Sequence, residues 1–166
     1  MTTYDEWLTY ASKKGIRVVE LPLEYCGGMI VDNIIGIDSK RTTAEKTGII
    51  SEELGHFETT VGNILNQSTV PNRKQEMKAR RWSHNHQIRQ QDLVEAAQYG
   101  CRNAYDVAEF LGISEEFLQE AVEDFRKQYG TATVCDDYLI VYEPYLMVID
   151  MTEGGEEFWQ AYKNEY

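Results

Sequence analysis

Apolar positions recur with helical spacing at the start of the chain. Trp7, Leu8 and Ala11 share one face of a segment from about Tyr4 to Lys14, stopped by Gly15. The period then changes. Ile16 to Leu23, with Val18-Val19 between Arg17 and Glu20, reads as a strand closed near Pro22. Met29-Ile30-Val31 and Ile34-Ile35-Gly36-Ile37 read as two short strands, and Asp32-Asn33 between them suits a tight hairpin turn. These segments predict a small antiparallel sheet with one helix in front of it.

Thr42-Thr43-Ala44-Glu45 has the spacing of a capping box and opens a helix to about Phe57, with Ile49, Ile50 and Leu54 directed inward. Thr59 to Asn72 is polar, carries Gly62 and Pro71, and reads as a loop with one turn near Ile64-Leu65. Helical spacing returns at Arg73. Glu76, Ala79, Arg80 and Ser83 share one face, Met77, Arg81 and His84 another, and Trp82 is the apolar anchor. This helix breaks near Ile88 and restarts through Leu93 to Tyr99, ended by Gly100. Asn103 and Ser114 cap two further helices, one to Leu111 and one from Glu115 to Tyr129. Thr131–Cys135, Tyr138–Tyr142 and Tyr145–Ile149 are β-branched and aromatic runs punctuated by Asp136-Asp137 and Pro144. From Thr152 the chain is acidic and weakly patterned.

The 166 residues suffice for one well-buried core. We divide them into residues 1–100 and a C-terminal section, 101–166, packed together as one unit. A net charge of −12 sets the chain against phosphate backbones and anionic lipid, which argues against direct nucleic-acid or membrane partners. No apolar run reaches membrane-spanning length, and the first residues lack the pattern of a signal peptide. The three cysteines, Cys26, Cys101 and Cys135, have no C-x-x-C spacing, so free thiols in a reducing cytoplasm are expected.

The candidate chemistry lies in Ser51-Glu52-Glu53-Leu54-Gly55-His56. Glu52 and His56 are spaced i, i+4 on one helix face, which suits two ligands of one metal. Glu53 stands about 100° around the helix, where a general base can reach a metal-bound water. A third ligand must come from another element. Glu76, on the next helix, is placed for this if the two helices pack antiparallel. The plainer reading is a solvated helix face. Gly55 within a helix costs about 1 kcal/mol relative to alanine, so a close approach is expected there, packing against the strands being one reason. His84 and His86 lie about 200° apart on a helix and cannot both serve one metal. One of them pointing into the cleft would be a substitute ligand or oxyanion donor; surface or capping roles are the alternative. Lys74, Lys78, Arg80 and Arg81 form the basic concentration, suited to pairing with the acidic surface or to an acidic partner. Tyr105 to Arg126 has helix-turn-helix spacing, but Glu115, Glu116, Glu120, Glu123 and Asp124 on its second helix would be repelled by DNA. Packing, or recognition of a basic protein, is the better role.

Glu52-Glu53-Leu54-Gly55-His56 followed by Glu76-x-x-Ala79-x-x-Trp82 resembles the ImmA/IrrE family of metallo-endopeptidases found in phages, prophages and mobile elements. Gly100-Cys101-Arg102-Asn103, Ala108-Glu109-Phe110-Leu111 and Phe117-Leu118-Gln119-Glu120-Ala121 resemble the C-terminal helices of its phage-encoded members. The family helix reads H-E-L-G-H, so Glu52 stands where the first histidine is expected. The resemblance implies Glu53 as general base and Glu52, His56 and Glu76 as metal ligands. It implies zinc as cofactor, and a Glu/His/Glu set is harder, shifting preference toward manganese or iron or leaving the site without metal. A DNA-binding repressor would be the protein substrate. The expected fold is α+β: a small N-terminal antiparallel sheet, a zincin-like helix pair carrying the site, a C-terminal helical section and a terminal β-hairpin. The competing function is a non-catalytic, degenerate peptidase that inactivates a repressor or other factor by association.

Overall fold

The structure is a computed structural model, and it describes residues 2–59 and 72–152 together with 154, 155, 157 and 159–161. The loop expected between Thr59 and Asn72, and most of the tail after Thr152, lie outside the described residues.

The N-terminal helix α1 (Tyr4–Lys13) starts at a reciprocal cap, in which Thr3 accepts from the Glu6 amide and Glu6 accepts from the Thr3 amide at 2.7 Å. Its buried face is Trp7 and Ala11. Three strands follow, β1 (Arg17–Leu21), β2 (Gly28–Val31) and β3 (Ile34–Asp38). The β2–β3 hairpin turns at Asp32-Asn33, Asp32 taking a left-handed φ of 52°. The sheet differs from the antiparallel one expected: its order is β1-β3-β2, and β1 runs parallel to β3, Arg17 opposite Ile34. Residues 22–27 carry the chain past β3 to the far edge, and Asp38 secures that passage. Its amide donates to the Gly27 carbonyl at 2.8 Å, and its carboxylate accepts from the Leu23 amide at 3.4 Å. Hence β3 is central, with Ile35 and Ile37 fully buried. Alternation within a strand fixes which face is apolar; it carries no information on which neighbour the strand pairs with.

Helix α2 (Thr43–Thr59) lies over this sheet, with Ile50 and Leu54 in one core with Trp7, Ala11, Ile35 and Ile37. Helix α3 (Asn72–Gln87) packs along it, and Trp82 closes that core against Trp7 and Tyr10, ring centroids 5.9 and 6.2 Å away. The chain breaks at Ile88 as expected. Helix α4 (Gln90–Tyr99) opens on Asp92, which is buried and accepts from the Arg89 amide at 2.8 Å and its guanidinium at 2.6 Å. Helices α5 (Ala104–Leu111) and α6 (Glu115–Tyr129) are capped by Asn103 and Ser114. With α4 they enclose a second core around Leu93, Leu111, Phe117, Leu118 and Phe125. The terminal hairpin is extended to a three-stranded antiparallel meander, β4 (Ala132–Cys135), β5 (Tyr138–Val141) and β6 (Met147–Asp150), with β5 central and buried. The three cysteines are free, and no helix among the described residues is long and apolar enough to cross a membrane.

Burial raises the Asp92 pKa, but hydrogen bonds from Arg89 outweigh it, and the net direction is downward. A depressed carboxylate stabilises the fold above its unfolded pKa of about 3.9, and that contribution is lost as pH falls through the folded value. Asp92→Asn should therefore lower stability by about 1–3 kcal/mol at neutral pH. The gap from the parent should narrow below about pH 4, as read by thermal unfolding across pH.

Candidate metal centre

The position of the candidate residues follows from how closely α2 and α3 approach. Ser51 donates to the Gly48 carbonyl at 2.8 Å, so its 2.6 Å contact with Ser83 has Ser83 as donor, both side chains fully buried. One turn on, Gly55 meets Ala79: a Cβ at Gly55 would collide with the Ala79 carbonyl oxygen and lie 3.1 Å from its carbon. The expected close approach at Gly55 is thus to the backbone of α3, not to the strands. Ser51 opposite Ser83 and Gly55 opposite Ala79 define an antiparallel pair.

That register sets His56 beside Glu76, Nε2 to Oε2 being 3.3 Å. The other Glu76 oxygen accepts from Arg80 Nε at 2.8 Å. Glu53 lies on the sheet side of α2. A Cβ at Gly28 would stand 3.2 Å from Glu53 Oε1, so the glycine that begins the edge strand β2 makes room for this carboxylate. Burial, then the charges of Glu52 and Glu76, push the Glu53 pKa up to about 7.

Glu52 faces the opposite side, toward α6. It lines a cleft of about 250 Å³ with Arg41, Glu45, Arg80, Glu116 and Glu120. Burial pushes its pKa up to about 7 as well; Arg80 opposes this, while Glu120, Glu76 and Glu116 add to it. Arg80 bridges the two sides, holding Glu76 through Nε and donating to Glu120 at 3.1 Å. So His56 and Glu76 are in contact, with Glu53 on one flank and Glu52 on the other. A 3.3 Å separation matches two ligand atoms on one cation with bonds near ~2.1 Å, and an imidazole–carboxylate pair is a suitable donor set for zinc, manganese or iron.

The two further histidines separate cleanly. His86 is exposed, stacks on Trp82 at 3.9 Å, and donates through Nδ1 to the Trp82 carbonyl. His84 points inward, 1% exposed, donating through Nδ1 to Asp124 at 2.7 Å, with Phe117 edge-on to its ring. Helices α3 and α6 run parallel along a polar seam: Arg80 to Glu120, His84 to Asp124, Asn85 to Gln128. The sequence reading missed Glu120 and Asp124, which resemble the solvated acids around them. Their i, i+4 spacing matches that of Arg80 and His84, a signal that becomes usable once the two helices are known to be neighbours.

Residues 11–123 match the family model of the IrrE N-terminal-like domain, a peptidase family. The chain belongs to that family. The IrrE-like match takes in the sheet, the α2–α3 pair and α6 as far as Glu123, so that Glu120 lies inside it while Asp124, Gln128 and β4 to β6 lie beyond. Neither curated proteins nor solved structures provide a match to the chain. Membership supports a metallopeptidase with a protein substrate and a metal cofactor.

Gly55→Ala should force the IrrE-like helix pair apart and destabilise the fold by about 3 kcal/mol, lowering Tm by roughly 6–12 °C. Differential scanning calorimetry measures this.

Proposed function

We propose that this chain is a metal-dependent endopeptidase of ImmA/IrrE type that cuts a protein, with a DNA-binding repressor of a phage or mobile element as substrate. The observation carrying this reading is the contact of His56 with Glu76 across the antiparallel helix pair, Glu53 standing beside it. Glu52, His56 and Glu76 are the residues to hold the metal. A divalent cation there supplies Lewis acidity toward a peptide carbonyl and acidifies water.

The remaining chemistry belongs to side chains of this protein. Glu53 takes the proton of the attacking water and passes it to the leaving amine; a pKa near 7 suits a base working at neutral pH. Arg80 holds the second oxygen of Glu76 and so keeps the first toward His56. The outer edge of β2, which pairs with no strand among the described residues and begins at Gly28 beside Glu53, suits an extended substrate added as a further strand. Its exposed Met29 and Val31 offer apolar contacts. The net charge of −12 complements a basic DNA-binding protein and disfavours DNA itself, and the setting we propose is the cytoplasm. The second reading, a non-catalytic protein that inactivates a repressor by binding, draws support from Glu52. It replaces a histidine of the motif, and its carboxylate faces Arg80 and Glu120.

The test is incubation of the zinc- or manganese-supplemented protein with helix-turn-helix repressors of phages and mobile elements, fragments being read by mass spectrometry. Parent protein should yield fragments, and Glu53→Gln should reduce the rate by 10²-fold or more with unchanged repressor affinity. Equal affinity for parent and variant with no fragments from either would establish the binding reading instead.

A further inference from the structure

We propose that Glu52, His84 and Glu120 form a divalent-cation site at the junction of α2, α3 and α6, separate from the pair His56 and Glu76. One ligand atom from each of the three residues lies within 4.8 Å of the others. Three different helices supply them, so their convergence is a property of the tertiary packing. Ligand atoms across a cation with bonds of about 2.1 Å lie up to about 4.2 Å apart, so modest side-chain rotation completes the set.

The independent observation is His84. Its ring is 1% exposed, Nδ1 is committed to Asp124 at 2.7 Å, and Nε2 has no hydrogen-bond partner. Because the Asp124 carboxylate can only accept here, Nδ1 carries the proton and Nε2 presents a lone pair. A buried acceptor left without a partner is destabilising, and a cation is the partner its surroundings offer. A carboxylate behind a histidine, fixing its tautomer and orientation, is how proteins support imidazole ligands.

Arg80 is the competing explanation, since its guanidinium already serves Glu76 and Glu120 in the same cleft. It leaves His84 Nε2 unsatisfied, however, and its side chain is 42% exposed and able to swing outward. Phe117, edge-on to His84 and packed against Gly48, walls the apolar side of the ring. The cleft beside it opens to solvent, so waters can complete the coordination. One imidazole and two carboxylates favour zinc, manganese or iron(II) over calcium or magnesium. Glu52 is common to this site and to the proposed catalytic one, and the remaining members distinguish the two.

The experiment titrates zinc and cobalt(II) into the full chain against a chromophoric chelator, with the cobalt absorption spectrum reporting imidazole ligation. The double variant His56→Ala/Glu76→Gln removes the proposed catalytic pair. It should still bind one equivalent. Adding Glu120→Gln, a near-isosteric change at a half-buried position, should weaken that equivalent at least tenfold. His84→Gln should do the same and lose the cobalt signature, and Asp124→Asn should weaken it about tenfold. Circular dichroism checks each variant, and Glu120→Gln decides the matter if His84→Gln fails to fold. A double variant that binds no cation, or zinc affinity unmoved by Glu120→Gln, overturns the site. Neither result touches the peptidase reading, which stands or falls on cleavage by the parent and its loss in Glu53→Gln.

Discussion

The contact on which the rest depends is the one between Gly55 and the backbone of Ala79. With no side chain on α2 at that point, the two helix backbones come together, and the buried serine pair one turn away fixes their register. Everything polar around the site is measured from that seam. A side chain at position 55 would press on that backbone and shift the register that sets His56 against Glu76, without altering any group that does chemistry. It is a packing constraint with a chemical outcome, since reacting groups must be held to fractions of an ångström.

A second layer is built on the opposite side of α3. Because α6 runs parallel to α3, residues forty positions apart in sequence pair in order along the seam, Arg80 with Glu120 and His84 with Asp124. Acids that would otherwise repel DNA or solicit a basic partner are thereby turned inward. Glu123, pointing out, pairs instead with Arg126 at 2.9 Å within its own helix. The two helices with helix-turn-helix spacing, α5 and α6, pack on each other through Ala108, Leu111, Phe117 and Leu118 in the second core.

Much of this was legible in the order of the residues. Caps at Thr42, Asn103 and Ser114 announce their helices because short side chains satisfy orphan amides locally, and local chemistry is what a sequence shows. The pairing of His56 with Glu76 was foreseeable from spacing once an antiparallel pair was supposed. The parallel placement of β1 was not, since strand pairing is settled by a loop that carries no helical or strand period. Nor was the inward turn of Glu120 and Asp124: exposed and buried acids look alike until the neighbouring helix is known. Gly55 announced a close contact without naming its partner, because a missing side chain records that something fits, not what.

Arg80 has a consequence of its own. One guanidinium grips Glu76 toward the outer end of the helix pair and Glu120 on the neighbouring helix. The two grips share a single rigid fork, so a ligand that takes either carboxylate changes the hold on the other. Linkage of this kind is reciprocal: whatever factor one occupant imposes on the second, the second returns to the first. The arginine thus gives two acids on opposite flanks of α3 a single shared partner, a tie that no contact between the acids themselves would supply.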